Sequence, residues 1–158
     1  MTATLVLQVP VDAPAAATFA GATDWAGQGQ WMIGTRVRPV TADGRGVGAQ
    51  IEAFTGLGRL GFVDTMEITR WEPPYACDVL HTGRLVRGTG AFEVEERGPV
   101  ASTFVWSEDL ILPLGPLGRL AWPVVKPVFA YLVRLSLRRF ARWVEAGRPG
   151  RPPGPGGA

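Results

Sequence analysis

One cysteine, one histidine and one lysine occur in 158 residues, and each scarcity closes off a class of function. Cys77 alone cannot form an intramolecular disulfide. With His81 it leaves too few soft or nitrogen ligands for a zinc site, so no metal is expected. A serine hydrolase would have to use His81 as its base, yet no serine sits in a nucleophile-elbow sequence. The lysine shortage is the other side of an arginine bias, fifteen Arg to the single Lys126, set against fourteen acids. The resulting net charge of +2 is too even to argue for nucleic acid. The N-terminus lacks the basic segment and long apolar run of a signal peptide. No window reaches the roughly 18 uninterrupted apolar residues of a membrane span, because Lys126 and Arg134 interrupt the most hydrophobic stretch. A cytoplasmic protein is expected, its oligomeric state left open.

What the chain does have is one long amphipathic segment, Pro116 to Gly147. At 3.6 residues per turn Trp122, Val125, Phe129, Leu132, Val133, Ser136, Phe140 and Trp143 share a side, opposite Lys126, Arg134, Arg138 and Arg142. Everything before it reads mainly as strands. Ala3 to Val9 alternates as a strand that Pro10 ends. Asp12 offers an N-cap carboxylate to a short helix ending near Gly21, and Asp24 caps a second turn that stops at Gly27-Gln-Gly29. Six strands follow, at roughly Trp31 to Val40, Val47 to Phe54, Leu60 to Trp71, Tyr75 to His81, Val86 to Glu96 and Ala101 to Leu112. The short gaps between them imply antiparallel hairpins. The expected class is α+β, a curved antiparallel sheet of about seven strands covered by the long C-terminal helix. One domain spans 1–146, followed by a disordered Pro/Gly/Arg tail at 147–158.

Hairpin pairing predicts which side chains share a face. Placing Val94 opposite Phe104 puts Phe92 beside Trp106 and Gly90 beside Glu108. Placing Val79 opposite Val86 adds Tyr75, Cys77 and His81. Gly88 and Gly90 subtract volume from this aromatic surface, which predicts a space between sheet and helix. The competing expectation is a solid core filled by the same Trp and Phe side chains.

The element order resembles the helix-grip fold of the START-like (SRPBCC) superfamily, in its polyketide cyclase/dehydrase-like branch. The resemblance rests on Val9-Pro-Val-Asp-Ala-Pro14 with Phe19 in the following helix, the Asp24 to Trp31 bend, Gly46-Val-Gly48 before a strand, and Trp106-Ser-Glu108 running into Leu112-Pro-Leu-Gly-Pro116. It covers Thr2 to about Ala146. It implies a cavity that takes lipids, polyketides or other apolar molecules, in carriers, sensors and a minority of enzymes. The ligand-binding residues expected on the sheet are Tyr75, Val79, His81, Phe92, Phe104, Trp106, Glu108 and Leu110. Those expected on the helix are Val125, Phe129, Leu132, Ser136 and Phe140.

Two motifs need weighing. Gly56-Leu-Gly58-Arg-Leu-Gly61 has the spacing of a dinucleotide fingerprint, but a strand rather than a helix follows it, so it reads as a hairpin turn and no cofactor is expected. His81 and Glu108 both point inward. A carboxylate among Phe and Trp has a raised pKa and can serve as general acid or base with His81 as partner. The plainer expectation has His81 wet at a hairpin end and Glu108 paired with Arg70 or Arg87, leaving the two to orient a ligand. Three functions follow in order: a carrier or sensor of a hydrophobic small molecule, an acid/base cyclase or dehydratase, and a module whose Arg134, Arg138, Arg139 and Arg142 touch an anionic membrane. Leu114, Leu117, Leu120 and Trp122 suggest a portal or a membrane-resting patch, and Pro123 and Pro127 loosen the helix beside it.

Overall fold

The computed structural model describes residues 2–111 and 116–150. Strand β1 (Thr2–Val11) leads into helix α1 (Ala15–Ala22) and a 3₁₀ turn at Trp25–Gln30. Strands β2 (Thr35–Pro39), β3 (Gln50–Leu57), β4 (Leu60–Glu72), β5 (Ala76–His81), β6 (Gly88–Gly98) and β7 (Ala101–Ile111) follow, then helix α2 (Pro116–Glu145). The strands form one sheet in the order β1-β7-β6-β5-β4-β3-β2, every neighbouring pair antiparallel. The expected α+β architecture is present, with seven strands and the long helix on one face.

Several local expectations are corrected. Pro10 does not end β1, which continues to Val11 opposite Ser102. An edge strand tolerates a proline because half of its N–H groups point away from the sheet. Asp12 does not cap α1. Pro14 holds that position without a side-chain bond, and the Asp12 amide instead donates to Glu145 Oε1 at 3.0 Å, tying the start of α1 to the end of α2. Trp31 does not begin a strand; it closes the 3₁₀ turn and is fully buried. Asp24 does cap that turn, its Oδ1 accepting from the Gly27 amide at 3.1 Å.

The register between β6 and β7 is the expected one, with Val94 opposite Phe104, Phe92 opposite Trp106 and Gly90 opposite Glu108. Between β5 and β6 it is not. Val79 faces Gly90, and Val86 lies in the connecting loop. Moving the partner from residue 86 to residue 90 is an even shift, so every side chain keeps its face. The glycine-rich stretch at 56–61 is the β3–β4 hairpin, Leu57 pairing with Leu60.

The core sits at one end of the layer between sheet and α2. Trp31 and Phe140 ring centroids are 4.8 Å apart, and those of Phe104 and Phe140 are 4.5 Å apart, with all three side chains fully buried. Val133, Leu137, Trp143 and Val144 of α2 join this cluster, as do Phe19 and Trp25. The helix continues unbroken through Pro123 and Pro127, and its last turn leads to Gly150, whose amide donates to Asp24 Oδ2 at 2.7 Å. Residues 151–158 of the expected tail, and Leu112 and Leu114, lie outside the described residues.

Candidate ligand-binding site

Beyond the aromatic cluster the layer opens into a cavity of about 370 Å³. Native cores leave few voids larger than a water molecule, so a space of this size is not a packing defect. It lies within the roughly 300–1,000 Å³ typical of small-molecule pockets. Sheet and helix both contribute: Val79, Phe92, Trp106 and Leu110 on one side, Trp122, Val125, Phe129 and Leu132 on the other. Cavity and solid core coexist, the first against the N-terminal part of α2 and the second against its C-terminal part. Phe92 joins them, its ring 5.3 Å from Phe104 and 5.8 Å from Trp106.

Three expected site residues fall elsewhere. Tyr75 precedes β5 at the far end of the sheet, is 47% exposed, and directs its hydroxyl toward Glu96. Phe104 and Phe140 belong to the aromatic cluster and do not line the cavity. Strand alternation gives a side chain's face but not its height along the layer, which decides between plug and cavity. Ser136 lines the cavity, but its hydroxyl donates to Leu132 O at 2.9 Å and accepts from the Ile33 amide at 3.1 Å, which fastens α2 to the segment before β2.

The two glycines do not act as expected. Gly88 has φ +128, and a Cβ there would stand 1.9 Å from the Asp109 carbonyl, so the backbone demands glycine for its own sake. The space over Gly90 is filled by the carboxylate of Glu108, whose Oε1 would lie 3.0 Å from a Cβ at 90.

The polar centre of the cavity is a buried trio. His81 Nδ1 is 2.7 Å from Asp64 Oδ2, and its Nε2 is 3.0 Å from Glu108 Oε2. Trp106 Nε1 donates to the other Glu108 oxygen at 2.8 Å. The expectation of a wet His81 and an arginine-paired Glu108 is overturned: His81 is 8% exposed, and Arg70 bonds to Glu72. Between two ionised carboxylates a neutral imidazole would turn a nitrogen lone pair toward an acceptor, whereas an imidazolium donates from both nitrogens and satisfies each contact. Burial pulls the His81 pKa down, but the hydrogen bonds to Asp64 and Glu108 and their charges outweigh it and raise it to about 9. Burial, with Asp78 nearby, pushes the Cys77 thiol up to about 12, so Cys77 lines the wall as a neutral, apolar group.

Asp64 was missed by the sequence reading. Its signal was present, since Phe62, Asp64, Met66 and Ile68 alternate onto one face of β4 and an acid among apolar side chains needs a buried partner.

The cavity's lining extends to Phe62 after the β3–β4 turn, Val86 in the β5–β6 connection and Trp122 of α2. Leu57, Leu60, Leu85, Leu117, Leu120, Val124 and Val128 are exposed there or on the adjoining part of α2. By length and mean hydropathy α2 meets the minimum for crossing a membrane, although Lys126 and Arg134 interrupt it. Only 22% of its most apolar stretch is buried.

Comparisons of the fold now have a site to refer to. No family model and no curated protein sequence matches the chain. Solved structures do. TTHA0849 from Thermus thermophilus superposes with a TM-score of 0.77 at 14% identity, covering 92% of this chain and 99% of that one. The Zhui aromatase/cyclase from Streptomyces sp. R1128 gives a TM-score of 0.75 at 15% identity, with both chains covered in full. The protein has the helix-grip fold. A third helix-grip structure, the di-domain ARO/CYC BexL of the BE-7585A biosynthetic pathway, gives 0.69 at 16% identity over 90% of this chain and 46% of that one. At these identities the likeness carries the fold, and function has to be argued from this chain's own cavity.

Proposed function

We propose that this helix-grip protein binds a hydrophobic small molecule, of lipid or polyketide type, as a carrier or sensor. One observation carries the reading: an apolar cavity of about 370 Å³ that the chain's own side chains leave open. Val79, Phe92, Trp106, Leu110, Val125, Phe129 and Leu132 supply apolar contact, and Glu108, held by His81 and Trp106, orients the ligand. Native mass spectrometry of protein purified from its host, alongside extraction of bound lipid, tests this. The expected result is a retained small-molecule adduct; bare protein that also takes up no apolar probe removes the reading.

The buried trio favours a second reading, an acid/base enzyme of cyclase or dehydratase type, consistent with aromatase/cyclases among the fold neighbours. The group nearest a substrate is Glu108, and His81 acts through it. A His81 pKa of about 9 keeps the imidazole protonated at neutral pH, so that it steadies the Glu108 carboxylate, which serves as the general base that takes a proton from the substrate. On this reading Glu108→Gln abolishes turnover while apolar ligands still bind; unchanged turnover takes Glu108 out of the mechanism.

Exposed Arg134, Arg138, Arg139 and Arg142 on α2, together with its exposed leucines and valines, favour contact with an anionic membrane, from which a ligand would load. Co-sedimentation with phosphatidylglycerol vesicles at low salt is the expected result, and its absence sinks this version.

A further inference from the structure

The hydrogen-bonding groups on the cavity wall are lopsided. Trp25 Nε1 donates to Gly44 O at 2.8 Å, Gln28 Nε2 to Ala22 O at 3.0 Å, and Ser136 to Leu132 O. Thr35 and Thr55 bond to each other at 3.0 Å, and both nitrogens of His81 and the Trp106 indole are taken up by carboxylates. Among the described wall residues this leaves four side-chain donors, all of them neutral: one threonine hydroxyl proton, the second N–H of the Gln28 amide, the weak S–H of Cys77 and the Trp122 indole. No arginine or lysine is among them. Acceptors are the reverse. Each Glu108 oxygen receives one bond and has a second lone pair free. As a pair of salt bridges sharing one imidazole, the trio carries a net negative charge.

An anionic ligand would therefore lose its hydration on entering and meet the carboxylate of Glu108, while the imidazolium of His81 has both N–H groups already committed. A ligand with a hydroxyl or amine would meet an aimed, desolvated acceptor, where a hydrogen bond to a charged group is strongest. Gly90 is what lets Glu108 lie across β6 in that pose, and His81 and Trp106 fix it from two sides.

We propose that the cavity selects apolar molecules bearing a hydroxyl or amine donor, which bonds to the carboxylate of Glu108, and rejects molecules whose polar group is a carboxylate. The selection rests on the binding function proposed above and narrows its ligand class: phenols, long-chain or polycyclic alcohols and amines are accepted, and free fatty acids and aromatic acids are not. Ligand hydrogen bonding there leaves the His81 contact intact, because it uses the spare lone pairs of Glu108.

Calorimetric titration at pH 7 with four molecules on one skeleton tests the selection: 2-naphthol, 2-naphthylmethylamine, 2-methylnaphthalene and 2-naphthoate. The naphthol and the amine are expected to bind about tenfold or more tighter than the naphthoate, with methylnaphthalene between. Glu108→Gln is expected to bring the four affinities together. Equal affinities in the unaltered protein, or a preference for naphthoate, overturn the selection while the binding cavity stands. No binding of any of the four, methylnaphthalene included, overturns the cavity function and the selection with it. The comparison on the unaltered protein is decisive even where Glu108→Gln fails to fold. A folded Glu108→Gln protein that keeps the full preference removes Glu108 as the acceptor.

Discussion

The carboxylate of Glu108 occupies the place that a side chain at residue 90 would need, with Oε1 3.0 Å from where a Cβ would stand. Glu108 cannot easily retreat, since one oxygen is held by Trp106 and the other by His81. Gly90→Ala is therefore expected to destabilise the protein by about 1 kcal/mol, the lower range of overpacking costs. In a Glu108→Ala background the same change should cost nothing or stabilise, as alanine suits a strand better than glycine. Denaturant unfolding of the four proteins checks this coupling.

His81 predicts the alkaline behaviour. Its folded pKa of about 9 lies above the ordinary 6.5. The stabilisation is therefore complete below about pH 6.5 and is lost as pH rises through 9. Linkage puts the loss on the order of 3 kcal/mol. Melting temperature measured from pH 6 to pH 10 should fall across that window. A flat profile would contradict the doubly bonded imidazolium.

Ser136 lines the cavity and also fastens α2 to the segment before β2. Ser136→Ala leaves the Ile33 amide without its partner and should cost about 1–2 kcal/mol. Affinity for an apolar probe should stay within a factor of two or three of the original, as titration of the folded variant will show.

The boundary between plug and cavity gives a contrasting pair. Phe140→Ala opens a hole in the fully buried aromatic cluster and should cost about 3–5 kcal/mol. Phe129 already has cavity on one side. Phe129→Ala should cost clearly less in unfolding experiments while changing probe affinity more.

Much of the fold was legible because it depends on alternation and on turn residues. The pairing of β6 with β7 follows from the tight connection at Pro99 and Val100, and the stripe on α2 from its period. The β5–β6 register differs from the expected pairing of Val79 with Val86 because residues 82–87 form a longer connection than a tight hairpin turn, yet the even shift spares the face assignment. Site depth was less legible. Phe104 and Trp106 occupy the same face two residues apart, but one is plugged against Phe140 and the other walls the cavity. Only the placement of Trp31 on the 3₁₀ turn decides that, and no local pattern announces it. Asp64 was hidden for a related reason: its partner comes from another strand, and periodicity does not reveal which buried acid a histidine will meet.

The central claim is that the space beneath α2 binds an apolar molecule. Titration with 1-aminoanthracene, whose emission rises on leaving water, measures this in the unaltered protein and in Leu132→Trp, which fills the cavity from a position on α2 that is 41% exposed and so accommodates the larger ring. Saturable one-to-one binding with Kd in roughly the micromolar range is expected, weakened at least about tenfold by the substitution while the fold is kept. Absence of saturable binding, or binding that ignores the filled cavity, would contradict the claim.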